Sequence, residues 1–193
     1  EDDSIHELCE KVFDTSISEI LNVRSQIDQD ILENAIETLV NAKRVEFYAF
    51  GGSAPVAMDG QHKFFRLKIP SSYISDPHLQ FMSANSLEKN DVVVAISQSG
   101  TTTALVESVK IVRKNGAKVI GIMPGETPLA NICDFPLNIN VGINNRISKP
   151  VTSRIAYTAV IDVLTMGVAQ LKPEAQDHLY NIADSQRSLK IDN

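Results

Sequence analysis

The sequence predicts an α/β fold: a doubly wound, five-stranded parallel sheet with extra helices at both ends of the chain. Short β-branched runs such as Val92-Val93-Val94-Ala95-Ile96 are apolar at every position, as strands buried on both faces are. From residue 45 onward such runs alternate with stretches of helical period, the pattern of strands joined by crossover helices. With 193 residues, 43% of them hydrophobic, the chain is long enough to bury one substantial core.

The elements follow in order. Residues 5 to 43 carry apolar side chains at helical spacing, from Ile5, Leu8, Val12 and Phe13 to Ala35, Ile36, Leu39 and Val40. Two helices are expected there, the second starting near Asp28 or Ser25, so that residues 1–44 form a helical linker or dimerisation segment ahead of a domain over 45–193. The first strand is expected at 45–50 and its helix at 54–66, with Pro55 in the first turn, where a missing N–H is tolerated. A short strand near Lys68 to Ser71 contains Pro70 and therefore belongs at an edge. A helix at 77–85, a strand at 91–96 and a helix at 102–115, closed by Asn115-Gly116, come next. The fourth strand spans Lys118 to Met123, a helical turn Leu129 to Cys133, and the fifth strand Phe135 to Val141. A polar loop, 142–151, leads to a helix from Thr152 to Leu171, and Pro173 starts a last helix reaching Lys190.

In the flavodoxin-like strand order 2-1-3-4-5, the loops after strands one and three flank the switch point, where ligands settle outside the carboxyl ends of the strands. Here those loops are Gly51-Gly52-Ser53 and Ser97-Gln98-Ser99-Gly100-Thr101-Thr102, the second running on into Thr103 and a helix. Backbone N–H groups at a helix start, surrounded by five hydroxyls, make an anion cradle; capping the helix would need only one of them. The cradle holds no lysine, so it is not a nucleoside-triphosphate loop, and its neutral donors suit a single phosphate monoester. The Gly51-Gly52-Ser53 turn lacks the third glycine of a dinucleotide fingerprint, with Val56 in its place, and no nicotinamide, metal or other cofactor is expected.

A formal charge of −6 and a pI near 5.2 argue against a nucleic-acid surface on these residues. Cys9 and Cys133 are far apart and lack metal-type spacing, which fits reduced thiols in the cytoplasm. No apolar run reads as long as the roughly 20 residues of a membrane span, and Glu1-Asp2-Asp3-Ser4 is unlike a signal peptide, so no membrane association is expected.

The loops Gly51-Gly52-Ser53 and Ser97-Gln98-Ser99-Gly100-Thr101-Thr102 resemble the two signature loops of the SIS (sugar isomerase) domain, over residues 45 to 171. Within it, Phe50-Gly51-Gly52-Ser53-Ala54-Pro55-Val56-Ala57 with Gln61-His62-Lys63-Phe64-Phe65-Arg66-Leu67 is similar to RpiR-type transcription regulators, above all those of hexose catabolism. The resemblance implies a sugar-phosphate effector whose phosphate sits on Ser97, Ser99, Thr102 and nearby backbone N–H groups, with Ser53 reaching in from across the crevice. Gly52, Gln98 and Gly100 complete the implied loop set. For the hexose-catabolism branch the implied effector is 2-keto-3-deoxy-6-phosphogluconate. Such regulators carry an N-terminal helix-turn-helix domain, for which residues 1 to 44 are too short and too acidic, so DNA contact is expected only through sequence outside this chain.

Three further residues are candidates for the ligand. His78, following Ser75-Asp76-Pro77, could reach the effector or be a surface histidine near a cap. Lys149 and Arg154 could hold an effector carboxylate or be exposed loop cations. His62, Lys63 and Arg66 read as a subunit contact or a solvated face. An isomerase needs a base beside the carbonyl, whereas the loop and helix start near 152 offer Asn144, Asn145, Arg146, Lys149, Ser153 and Arg154. Glu107, about two turns into the helix after the cradle, reads as a surface charge. The expectation is a sensor without catalytic residues, with a SIS-fold isomerase or lyase as the alternative. The apolar opening helices and Leu179, Ile182 and Leu189 of the last helix point to a homodimer or higher homo-oligomer.

Overall fold

The computed structural model describes residues 3–141 and 149–187. Five parallel strands, β1 (Arg44–Ala49), β2 (Ser71–Ile74), β3 (Asp91–Ile96), β4 (Lys118–Met123) and β5 (Phe135–Asn138), form one sheet in the order β2-β1-β3-β4-β5. The helices are α1 (Ile5–Gln26), α2 (Gln29–Val40), α3 (Ala54–Arg66), α4 (Pro77–Ser86), α5 (Thr103–Lys114), α6 (Lys149–Leu171) and α7 (Pro173–Arg187). Alternate strand residues face opposite layers. Phe47, Val92, Val94, Ile96, Ile120 and Ile122 pack with helices α2, α3 and α6, while Tyr48, Val93, Ala95 and Val119 pack with α5 and the end of α4. Both faces of β3 are thus buried, which is why its sequence is apolar throughout.

Local chemistry sets the boundaries. Of the two candidate starts for α2, Asp28 is the cap: its carboxylate accepts from the N–H groups of Asp30 and Ile31, both at 3.0 Å. Asp76 caps α4 by accepting from Leu79 N–H at 2.9 Å, just ahead of Pro77. Gly116, at φ +86°, closes α5 in the left-handed conformation that glycine adopts most readily.

Some boundaries differ from the sequence expectation. The edge strand lies at Ser71–Ile74 rather than 68–71, because Pro70 can give only its carbonyl to the ladder, accepting from Val45 N–H at 2.9 Å, and Lys68 turns the chain at φ +60°. β5 ends at Asn138, although Ile139 N–H still bonds Met123 O at 2.8 Å. α6 begins at Lys149, ahead of the expected Thr152. The expected continuation of the last helix to Lys190, with Leu189, lies outside the described residues.

The opening helices behave differently from each other. Leu32, Ala35 and Leu39 of α2 belong to the same core as β1, and the C-terminal half of α1 seats Val23 there. Residues 3–15 are exposed throughout, with Ile5 at 82% and Phe13 at 65% of full exposure. The expectation about apolar runs is corrected: Ser153–Leu171 is long and apolar enough to cross a membrane by length and composition. It is the central helix of the domain, and Ala156, Tyr157, Val160, Ile161, Leu164 and Val168 along it are buried.

The two thiols differ in the same way. Cys9 is exposed, whereas burial, with Asp134 adding and Arg113 opposing, pushes the Cys133 thiol up to about 12. Iodoacetamide at pH 8 is therefore expected to alkylate Cys9 and spare Cys133 in the native protein. Mass spectrometry of the peptides checks this, and equal labelling would contradict the packing around Cys133.

Candidate functional site

β1 and β3 run side by side, with Ala49 opposite Ile96, so the loops that follow them leave the sheet as neighbours. Ser97 N–H bonds Ile122 O at 3.1 Å and anchors the second loop to β4. The loop then folds onto its own hydroxyls. Ser97 Oγ accepts from Gly100 N–H at 3.0 Å, and Ser99 Oγ accepts from Thr101 N–H at 3.3 Å and from Thr101 Oγ1 at 3.1 Å. Ser97 Oγ and Ser99 Oγ lie 3.5 Å apart. Thr102 occupies the N-cap position of α5, yet its side chain makes no capping bond, so the simple cap reading fails for it. The first N–H groups of α5 have no partner within the helix, and its positive end faces the loop. Ser97 is buried, Thr102 half-buried and Ser99 exposed, so the donors run from floor to rim. An anion placed there would meet hydroxyl and amide donors without a formal positive charge.

The opposite wall is a 3-10 turn, Gly51–Ser53, which leads straight into α3. Ser53 is buried at 5% exposure. A β-carbon on Gly52 would sit 3.7 Å from Gln98 Oε1, so the two loops touch. Gln98 Nε2 donates to Ser153 Oγ at 3.0 Å, and the Tyr157 hydroxyl reaches Ser97 O at 3.5 Å. Burial pushes the Tyr157 phenol up, which keeps it protonated as a donor.

Two supports went unrecognised in the sequence. Tyr157 reads there as one more apolar residue of a core helix. Thr127, in the loop after β4, packs on Gly100; its hydroxyl donates to Pro124 O at 3.0 Å and accepts from Ala130 N–H at 3.3 Å. Leu129 N–H holds Gly100 O at 3.1 Å. The strand order could have revealed this loop, because it leaves the same end of the sheet as the cradle.

The other candidates are less gathered. Arg154 is half-buried and lines a groove with Ile20, Pro55, Val56 and Asp162, between α1, α3 and α6, near the turn that carries Ser53. Lys149 is the first residue of α6; its side chain, like Asn144, Asn145 and Arg146, lies outside the described residues. His78 is exposed in the first turn of α4, just beyond the end of β2. In the His62, Lys63 and Arg66 cluster, His62 and Arg66 are exposed, as a solvated face requires, while Lys63 is half-buried and pairs within the chain with Asp59 and Asp162. Glu107 is an exposed helix charge paired with Lys110 at 2.7 Å. One carboxylate escaped the sequence reading: Glu126, exposed at φ +56°, directly precedes Thr127 in the loop that touches Gly100.

Comparison with known proteins identifies the family of the sequence and relatives of the fold. The SIS domain model matches residues 38–167. The HTH-type transcriptional regulator HexR of Escherichia coli K12 is 34% identical over 193 residues, 100% of this chain and 67% of that protein. HexR of Pseudomonas aeruginosa is 35% identical over 186 residues, 96% of this chain and 65% of its own length, so the chain spans about two thirds of these relatives. In fold, it is similar to the Vibrio vulnificus NanR protein complexed with ManNAc-6P, at TM-score 0.86 and 20% identity over 97% of this chain and 72% of that one. Phosphoheptose isomerase GmhA from Neisseria gonorrhoeae also shares the fold, at TM-score 0.72 and 16% identity over 86% of this chain and 100% of that one. By the extent of the model match and the shared sequence, the chain belongs to the SIS domain family and is related along its whole length to the HexR-type transcription regulators.

Proposed function

We propose that this chain is the effector-binding part of a transcription regulator of sugar catabolism and that it senses a sugar phosphate. The observation that carries the reading is the uncapped start of α5: Thr102 stands at the cap without capping, beside the Ser97 and Ser99 hydroxyls. In this reading Ser97, Ser99, Thr102, Gly100 and the backbone N–H groups hold the phosphate, Gly52, Ser53 and Gln98 line the sugar side, and Arg154 and His78 are assigned to its far end; Lys149, whose side chain lies outside the described residues, is assigned there as well. The relationship to HexR-type regulators supports the regulator class, and the effector we assign to it, from the resemblance of its loops to regulators of hexose catabolism, is 2-keto-3-deoxy-6-phosphogluconate. The relationship also supports DNA binding through a helix-turn-helix domain outside these residues and a cytoplasmic location. We assign residues 1–44 as the connecting and dimerising segment, although α2 and the end of α1 within it pack into the domain core.

A thermal-shift series tests the reading. Phosphorylated sugars, including 2-keto-3-deoxy-6-phosphogluconate, are expected to raise the melting temperature, and their unphosphorylated parents are not. Equal shifts from both would refute the phosphate cradle. Self-association follows from the uncovered stripe Ile5, Leu8, Val12, Phe13 and Ile17 on α1, and light scattering at micromolar concentration is expected to give the mass of a homodimer or larger. A monomer mass would count against it.

An isomerase reading has one observation behind it, the position of Glu126 beside the cradle loop. It predicts slow turnover that Glu126→Gln removes. The sensor reading predicts no product from any sugar phosphate on long incubation, with Glu126→Gln binding as tightly as the parent.

A further inference from the structure

α6 touches the cradle with its first turns and packs against the C-terminal half of α1. Its first turns hold the cradle loop through Gln98 to Ser153 and Tyr157 to Ser97 O. α1 and α2 both pack against it. The last turn of α1 is then fastened elsewhere. Gln26 Oε1 accepts from Asn140 N–H at 2.7 Å while Gln26 Nε2 donates to Asn140 O at 2.9 Å, and Asn22 Nδ2 donates to the same carbonyl at 2.9 Å. One side chain thus satisfies both backbone groups of a residue more than a hundred positions away, just past the edge strand β5. Directly after this clamp the chain leaves the helix, with Ile27 extended at φ −67° and ψ 121°. Ahead of it, residues 3–15 are all exposed, so within one subunit α1 is seated chiefly through its C-terminal half.

We infer that α1 is the element that reads the cradle: an anion bound at Ser97 to Thr102 fixes the first turns of α6 and so favours α1 seated, with the Gln26–Asn140 clamp closed, over α1 released. This rests on the phosphate-binding reading above. A helix such as α6, with one face packed into the core through Ala156, Tyr157, Val160, Ile161, Leu164 and Val168, shifts in discrete rather than gradual steps. α1, with few buried contacts and a side-chain clamp, is the low-stability element that such a shift can open or close.

Hydrogen exchange read by mass spectrometry tests the inference, with 2-keto-3-deoxy-6-phosphogluconate as the probe and its unphosphorylated parent as control. In the parent protein the probe is expected to slow exchange across residues 97–106 and, by about fivefold or more, across residues 20–27. In Gln26→Ala, saturating probe still protects 97–106 but no longer protects 20–27. Because coupling is reciprocal, the same substitution weakens the probe by a matching factor of about fivefold in calorimetry, although Gln26 lies outside the cradle. Asn22→Ala, which leaves the Gln26 pair in place, gives an intermediate response and serves if Gln26→Ala does not fold. Protection at 97–106 with 20–27 unchanged in the parent overturns the inference, as does an equal response of 20–27 in Gln26→Ala. Absence of protection at 97–106 instead overturns the phosphate-binding reading, and the inference falls with it.

Discussion

Gly100→Ala is expected to leave the domain folded and to remove measurable binding of sugar phosphates. Gly100 sits at φ +65°, a conformation that costs a side-chain-bearing residue roughly 1–2 kcal/mol. Its added methyl would also lie 2.5 Å from Thr127 Cβ and overlap Thr127 Oγ1. Thr127 cannot simply rotate away, since its hydroxyl bridges Pro124 O and Ala130 N–H. The loop yields instead, which breaks the bond from Gly100 N–H to Ser97 Oγ and moves Ser97, Ser99 and Thr102 relative to one another. Losing two charge-assisted donors to a phosphate is worth on the order of 3 kcal/mol or more, at least about 150-fold in affinity. Calorimetry with 2-keto-3-deoxy-6-phosphogluconate checks the affinity, and circular dichroism checks the fold. Unchanged affinity would mean that the ligand does not use this loop.

The sheet was legible because each of its central strands is short and apolar or aromatic, most of all the β-branched β3, and is followed by a turn with its own chemistry; the order 2-1-3-4-5 then put Ser53 and Ser97 side by side. Boundaries failed where backbone conformation rather than side-chain pattern decides. Nothing in the residue types shows that Lys68 turns left-handed and postpones β2 until after Pro70. The cradle loop was legible in its hydroxyls, but its supports were not. Thr127 and Tyr157 belong to separate elements, and only tertiary packing brings them to Gly100 and Ser97. Glu126 is hidden in the sequence for the same reason: the residues near 152 are the ones that adjoin the crevice by strand order, whereas the loop after β4 is the one that leans on the cradle. The long opening helix misled in another way, since a single amphipathic pattern covers a C-terminal half seated in the core and an N-terminal half that covers nothing.

Arg154→Ala is expected to separate the two ends of the effector. Arg154 lines a groove beside Pro55, two residues beyond Ser53 and one beyond the Ser153 that holds Gln98. A guanidinium there can take a carboxylate with two parallel hydrogen bonds, and a carboxylate left without such a partner pays for its lost water. Its removal should therefore weaken 2-keto-3-deoxy-6-phosphogluconate by about 10- to 150-fold, the worth of a charge-assisted pair at roughly 1.5–3 kcal/mol. Glucose 6-phosphate, which has no carboxylate, should lose about twofold or less, a margin of roughly 0.4 kcal/mol. Ser97→Ala, by contrast, should weaken both ligands by about 10- to 150-fold, because both place a phosphate in the cradle. Calorimetry on the two variants with the two ligands gives the four affinities needed. If Arg154→Ala weakens both ligands equally, the carboxylate assignment fails while the cradle stands; if Ser97→Ala spares both, the phosphate is held elsewhere.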